Sequence, residues 1–296
     1  MTKEKTFANI KTLLWATDFS SESRTCLPYI RFFSTALNSK NHALYVLPQF
    51  SDWVYETAFA ADEELLKTIE STRDQSVAKM NSTGKRSGIP FETCVIEGRN
   101  TNEEIIKYAN ENQVDMIFVG RRGISDIEEI LVGSTTSRLI RNSNIPVMVV
   151  PKTRKAATIE TILCPIDMSE LSMSELEYAI FLCRQLKAKL FVVHVAEFFN
   201  YKVPMLKRDI LIEKINNNIN EVAEANQFKI EGIIHETGEP AKRILEVAKK
   251  NKIDLITMST HQRKGIEKFF LGSISEKVLV AAHIPVLILP PLPVRA

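Results

Sequence analysis

Short apolar runs alternate with longer stretches of helical periodicity along the whole chain, and the runs predict ten strands. The predicted strands are residues 12–17, 43–47, 91–96, 116–119 and 147–150, then 161–166, 190–195, 230–236, 255–258 and 286–289. Helical patterns between them cover residues 20–37, 62–85, 102–112, 135–141, 206–226 and 241–251, with further helices starting at 172 and 273. Strands that alternate with helices predict a parallel sheet covered on both faces.

This order of elements occurs twice because the sequence repeats itself. The matching segments are Thr12–Ser20 with Thr161–Ser169, Ile105–Asp115 with Ile244–Asp254, Gly133-Ser134 with Gly272-Ser273, and Ile145–Val147 with Ile284–Val286. A stretch with three basic residues, 151–158, separates the copies and has the composition of an exposed linker. We therefore predict two α/β domains, at residues 1–152 and 158–296.

A glycine-rich loop follows the fourth strand of the first copy. Its glycines form the pattern G-x2-G-x9-G-S, from Gly120 through Gly123 to Gly133 and Ser134. Glycine lets a backbone approach a ligand closely, serine is a good helix N-cap, and a helix start favours phosphate. The loop is either a phosphate cradle, with Arg121 and Arg122 as cationic donors, or a capped, ligand-free turn.

Asp18 lies at the end of the first predicted strand, and Gly120 lies at the end of the fourth. Ligands on parallel sheets bind at the carboxyl ends of the strands, near a switch in strand order, so both residues belong to that edge. The Asp18 carboxylate can accept hydrogen bonds from an adenine or a ribose. It can equally stabilise the start of the following helix, since Asp-x-Ser is a good cap region.

The glycine spacing after a fourth strand resembles the ATP-binding signature of the universal stress protein family, and the resemblance covers nearly the whole chain twice. It implies two tandem, doubly wound, five-stranded parallel-sheet domains of the adenine nucleotide alpha hydrolase-like, Rossmann-like type. It also implies that they pack as an intrachain pseudo-dimer through the last strand of each copy. The implied ligand is ATP, with Mg²⁺ carried on its phosphates. The implied binding residues are Ala16, Thr17, Asp18, Val46, Gly120, Arg121, Gly123, Gly133, Ser134 and Thr135.

The second copy departs from the signature where phosphate would pass. Ser259 and Gln262 stand at the positions of Gly120 and Gly123, while Gly272 is retained. We expect the Gln262 side chain to fill part of the second pocket, so the second domain keeps the scaffold with a degenerate site. One ATP per chain, in the first domain, is the resulting prediction.

Composition and motifs restrict the function classes. The net charge of +2 gives no bias toward nucleic acid, and no apolar run reaches the ~20 residues of a membrane helix. The four cysteines form no C-x2-C pair, the five histidines no i, i+4 pair, and the N-terminus lacks a signal-peptide pattern. We expect a cytoplasmic protein with unidentified protein clients, and leave a homodimer of the tandem chain open.

No catalytic set accompanies the nucleotide signature: the Ser-His-Asp, G-x-S-x-G and Walker patterns are missing from the sequence. Any ATPase or autophosphorylation should therefore be slow, with the hydroxyls of Ser134, Thr135 and Thr136 as the nearby acceptors. The function expected is a stress-response or signalling module whose state is set by bound nucleotide. The alternative is a scaffold or interaction protein of the same fold that binds none.

Overall fold

The computed structural model describes residue 7 and residues 9–49, 63–123, 132–152, 157–197, 205–262 and 269–291. The chain forms two compact units, the first of residues Ile10–Leu139 and the second built around Ile140–Ala296. The predicted limits of the two domains, 1–152 and 158–296, stay a prediction.

The first unit is a four-stranded parallel sheet with its helices. Its elements are β1 (Thr12–Ala16), a 3₁₀ helix (Ser23–Cys26), α1 (Leu27–Leu37), β2 (Lys40–Pro48), α2 (Glu63–Ser87), β3 (Glu92–Gly98), α3 (Thr101–Glu111), β4 (Met116–Gly120) and the start of α4 (Ser134–Asn142). The strand order is β3-β2-β1-β4. The chain thus changes direction across the sheet between β1 and β4, which creates a switch point where ligands bind in such folds.

The strands at this switch point are buried on both faces. Leu13, Leu14 and Trp15 of β1 are fully buried, as are Ile117 and Phe118 of β4. Apolar residues at consecutive positions need cover on both sides of a sheet, which explains why these strands show no alternation with polar residues. A rigid pair of strands therefore supports the residues that follow β1 and β4.

The second unit repeats this order of elements. They are β5 (Val147–Val150), β6 (Thr161–Ile166), α5 (Glu170–Leu186), β7 (Lys189–Ala196), α6 (Met205–Ala225), β8 (Gly232–Thr237), α7 (Pro240–Lys250), β9 (Leu255–Ser259), α8 (Ser273–Ala281) and β12 (Val286–Leu289). A two-stranded ladder that the sequence did not predict, β10 (His261–Gln262) with β11 (Phe269–Phe270), lies between β9 and α8. The main sheet has the order β5-β12-β9-β6-β7-β8.

The predicted pairing of the two last strands is confirmed. β5 runs antiparallel to β12, with Met148 opposite Leu287 and Val149 opposite Val286. All residues of both strands are buried. An apolar strand at a sheet edge needs a partner, and each of these two strands covers the other. The pairing also explains why β5 lies in the second compact unit, although the repeat assigns it to the first copy.

The predicted elements are found, with small shifts at their ends. The largest concerns the helix expected from Ser20: a 3₁₀ turn comes first, and α1 begins at Leu27 with Pro28 in its first turn. Proline is tolerated there because the first helical amides have no acceptor within the helix. In the parts of the chain that are described, none of the helices combines the length and the hydropathy that a bilayer span requires.

Candidate functional site

A tight turn after β1 positions Asp18. Its Oδ1 accepts a hydrogen bond from the Ser20 amide at 3.0 Å, and Phe19 between them has a φ of 62°. A positive φ is uncommon for a bulky residue, so the side-chain bond stabilises a conformation that the backbone alone disfavours. Both interpretations of Asp18 stay open: the carboxylate holds the turn through Oδ1, and the residue lines a cavity.

The end of β4 packs directly against the chain that follows this turn. A Cβ built on Gly120 would lie 2.8 Å from the Glu22 carbonyl carbon and 2.9 Å from the Ser23 nitrogen. Real side chains never approach a backbone so closely, so only glycine fits. Contact with residues 22–23 is therefore sufficient to require glycine at position 120, and the predicted role of Gly120 in phosphate binding stays a prediction.

The glycine-rich loop closes on itself before α4. The Gly133 amide donates to the Arg121 carbonyl at 2.9 Å, and the Gly133 carbonyl accepts from the Ser137 amide at 2.9 Å. The expectation that Ser134 caps α4 is wrong, because Gly133 occupies the cap position and Ser134 is the first helical residue. The amides at the start of α4 have no acceptor within the helix and are available to a ligand.

A cavity of about 260 Å³ opens at this carboxyl edge of β1 and β4. It brings together nine of the ten predicted binding residues: Ala16, Thr17, Asp18, Val46, Gly120, Gly123, Gly133, Ser134 and Thr135. Arg121, the tenth, is not among the lining residues, and its neighbour Arg122 is.

Arg122, one of the lining residues, carries a buried donor. Its Nε is buried without a hydrogen-bond partner among the described residues, while its backbone amide donates to Glu22 Oε2 at 3.0 Å. Burial and the adjacent Arg122 charge lower the pKa of Arg121, and Glu22 opposes that effect. Arg122 lines the same cavity as Ser134 and Thr135 at the start of α4, and a cationic side chain beside a helix start favours an anion.

Tyr45 is a lining residue that the sequence did not reveal as part of the site. It lies on the neighbouring strand, β2, and lines the same cavity. Its ring packs on the ring of Phe19, with 4.8 Å between the two centroids. Burial, and then the Asp18 charge, raise the pKa of the Tyr45 hydroxyl, so it stays a neutral donor. The Lys79 ammonium lies 4.2 Å from the Phe19 ring centroid on the far side of this cluster.

The second unit has its own cavity, of about 340 Å³, at the corresponding sheet edge. Asp167 repeats the Asp18 turn, with Oδ1 accepting from the Ser169 amide at 3.0 Å and Met168 at a φ of 67°. Ser259 lines this cavity at the position of Gly120 and does not close it. The side chain of Gln262, expected to fill the pocket, lies outside the described part of the structure.

A buried carboxyl group distinguishes the second cavity. Glu175 of α5 lines it, is only 3% exposed, and lies where the first copy has Cys26. Burial raises the pKa of Glu175 to about 8, although hydrogen bonds from Ser259 and Thr257 oppose the shift. No arginine or lysine is among the described residues that line this cavity. The described lining of the second cavity therefore differs in charge from that of the first.

Comparisons with known proteins agree with the duplicated fold. The model of the universal stress protein family matches the chain twice, at residues 9–151 and 158–290. Universal stress protein MJ0531 of Methanocaldococcus jannaschii is 32% identical over 145 residues, which are 49% of this chain and 84% of that protein. Universal stress protein MJ0577 of the same organism is 26% identical over 155 residues, 48% of this chain and 95% of that protein.

A solved structure resembles almost the whole chain. The crystal structure of a universal stress protein from Archaeoglobus fulgidus superimposes with a TM-score of 0.71 at 22% identity. The match covers 96% of this chain and 100% of that one. The likeness supports the same tandem arrangement of α/β elements.

Proposed function

The chain belongs to the universal stress protein family, and on that premise we propose that its first domain binds ATP and that the bound nucleotide sets the state of a stress-response module. One observation carries the proposal. Arg122, whose Nε is buried and has no hydrogen-bond partner among the described residues, lines the same cavity as Asp18 and the start of α4. A buried donor without an acceptor is unfavourable, and a phosphate oxygen would satisfy it.

We assign the lining residues to two ends of a bound nucleotide according to their chemistry. Asp18, Tyr45 and Val46 form an end with a carboxylate, a neutral hydroxyl and strand backbone, which suits an adenine and its ribose. Arg122 and the α4 amides form the other end, which suits phosphates. Mg²⁺ would enter on the phosphates. A nucleoside would engage only the first end, so phosphate should add most of the affinity.

We do not extend the proposal of ATP binding to the second domain. Its cavity has Glu175 and no described basic lining residue, and a triphosphate would meet a buried carboxyl group there. Burial keeps this carboxyl group protonated and neutral, and the described lining residues offer phosphate no cationic donor, which disfavours nucleotide phosphate at this site. We therefore propose one ATP per chain, with domains at residues 1–152 and 158–296, a cytoplasmic location, and hydrolysis or autophosphorylation that is slow where it occurs.

Calorimetric titration of the full chain with ATP, ADP and adenosine tests the proposal. The expected result is one site for ATP and at least a tenfold weaker site for adenosine, about 1.4 kcal/mol. Arg122→Gln should reduce ATP affinity toward that of adenosine and leave adenosine binding unchanged. Arg31→Gln, a change at an exposed arginine on α1, is the control and should alter neither affinity.

Two results would contradict the proposal. Equal affinities for ATP and adenosine would mean that the Arg122 end does not hold phosphate. Absence of binding by all three compounds, together with no nucleotide released from freshly purified protein in mass spectrometry, would favour the alternative of a nucleotide-free scaffold.

A further inference from the structure

A broad groove of about 1150 Å³ lies between α7 and α8 of the second unit and shares no lining residue with either sheet-edge cavity. We name it the α7–α8 groove and define it by its apolar floor and charged rim. The floor contains Ala241, Leu245 and Ala248 of α7, with Ala281 and Ile284 on the opposite side. Leu245 and Ile284 are only half-buried, so the groove presents apolar surface to solvent.

The floor has the shape that a helix recognises. Ala241, Leu245 and Ala248 follow the i, i+4, i+7 spacing that places side chains along one face of α7. Ala241 and Ala248 are buried and Leu245 between them is half-buried, so Leu245 is the side chain of this face that offers apolar surface to a partner. Amphipathic helices bind such grooves through apolar side chains at the same spacing. α7 has 11 residues, so the groove accommodates about three turns of a partner helix, ~16 Å.

The rim carries unbalanced positive charge. Its two carboxylates already have cationic partners: Glu239 Oε1 lies 3.1 Å from Lys277 Nζ, and Glu246 Oε2 lies 2.8 Å from an Arg243 guanidinium nitrogen. Three further rim lysines are exposed and have no ion pair among the described residues; they are Lys242, Lys249 and Lys252. A partner with acidic side chains would complement them.

Lys242 is not explained by the stability of its own helix. It lies in the first turn of α7, where the helix dipole favours acidic residues and disfavours a cation. The repeat places Glu103 at the equivalent position of α3, where it does favour the helix. Asn110 and Gln113 likewise stand where the second copy has Lys249 and Lys252. The positive rim is therefore a property of the second copy and not of the shared fold.

We propose that the α7–α8 groove is a docking site for an acidic amphipathic helix of a partner protein. Apolar side chains of that helix rest on Leu245 and Ile284, and its acidic side chains face Lys242, Lys249 and Lys252. The nucleotide site of the first domain and this surface of the second domain are separate, so each can be removed without changing the residues of the other.

The test uses the full chain and a synthetic peptide of about 15 residues, ~22 Å as a helix, with leucines at i, i+3 and i+4 spacing and flanking glutamates. Fluorescence anisotropy should show saturable binding that weakens as salt is raised. The triple variant K242E/K249E/K252E should lose at least tenfold in affinity. The control K85E/K107E/K214E changes the same net charge at exposed lysines elsewhere and should bind like the unmodified chain.

The single variant K242E separates a docking role from a structural one. An acidic residue in the first turn of α7 should raise the melting temperature slightly, while peptide affinity falls. Photo-crosslinking from the peptide leucines should label residues 241–252 or 277–284. These results together would support the docking site.

Four results would overturn it: no saturable peptide binding, equal loss in both triple variants, crosslinks outside the groove, or a K242E chain that loses binding only because it unfolds. Binding of phosphatidylserine vesicles that is lost in K242E/K249E/K252E, without peptide binding, would assign the surface to anionic lipid instead and would also overturn the proposal.

Discussion

Gly123 lies directly against the carboxylate of Asp18: a Cβ built on Gly123 would be 2.7 Å from Asp18 Oδ2. The loop after β4 and the turn after β1 therefore meet at these two residues, although 105 positions separate them in the sequence. Any side chain at position 123 has to displace the carboxylate that we assign to the adenosine end of the site.

Gly123→Gln should abolish measurable ATP binding, and Gly123→Ala should weaken it at least tenfold, because both push Asp18 from its place. A double-mutant cycle with Asp18→Ala checks this mechanism by calorimetry. In the Asp18→Ala background the added methyl group no longer meets a carboxylate, so Gly123→Ala should have little further effect. Additive losses would show that Gly123 acts on the ligand directly.

Asp18→Ala and Asp167→Ala form a matched pair, because each aspartate accepts the same 3.0 Å bond from the amide two residues later. Loss of that bond should lower the free energy of unfolding by about 0.5–2 kcal/mol in both variants. Only Asp18→Ala should also weaken the binding of ATP, by roughly 1–3 kcal/mol, the cost of a lost buried polar contact. Unchanged ATP affinity in Asp18→Ala would make Asp18 a residue of the turn alone.

Gly120→Ala should destabilise the first unit. Its methyl group would meet the backbone of residues 22–23, which cannot move aside as a flexible side chain can. We expect a loss of about 1–3 kcal/mol in urea unfolding, the usual cost of overpacking. Gly272→Ala is the control, since a Cβ there has no neighbour within 4 Å. Equal stability of the two variants would contradict this account of Gly120.

Glu175→Gln should make the second unit more stable at neutral and alkaline pH. Burial raises the folded-state pKa of Glu175 from 4.5 to about 8, so the folded chain holds this proton more tightly than the unfolded chain. The stabilisation from the proton is complete below pH 4.5 and is lost as the pH rises toward 8. Glutamine does not ionise. The free energy of unfolding of the variant, relative to that of the unmodified chain, should therefore increase by about 1.4 kcal/mol per pH unit between pH 4.5 and 8.

Urea unfolding at several pH values between 5 and 8 measures that difference. Glu170→Gln, an exposed position on the same helix, serves as the control and should show no such pH-dependent gain. A stability difference between Glu175→Gln and the unmodified chain that stays constant with pH would mean that Glu175 is already ionised in the folded state.

The sequence by itself determined the elements and their duplication. Local periodicity reports burial within a few residues, so the apolar runs at 116–119 and 286–289 predicted strands whose ends differ little from those of β4 and β12. The resemblance to the family, carried by the glycine spacing, also named nine of the residues that line the first cavity. From the residues alone, the rule that parallel strands end at one edge placed Asp18 and Gly120 together.

Tertiary structure alone decided which side chains share a site or a core. The sequence does not report that Arg122 rather than Arg121 lines the cavity, or that Glu175, a charged residue in a helical pattern, is buried. Cross-strand register brings His194 and His235 together, with 6.0 Å between ring centroids, although no spacing pairs them. Pairings of this kind depend on how separate strands and helices pack against each other. Contacts between distant segments leave no periodic pattern in the sequence of either segment.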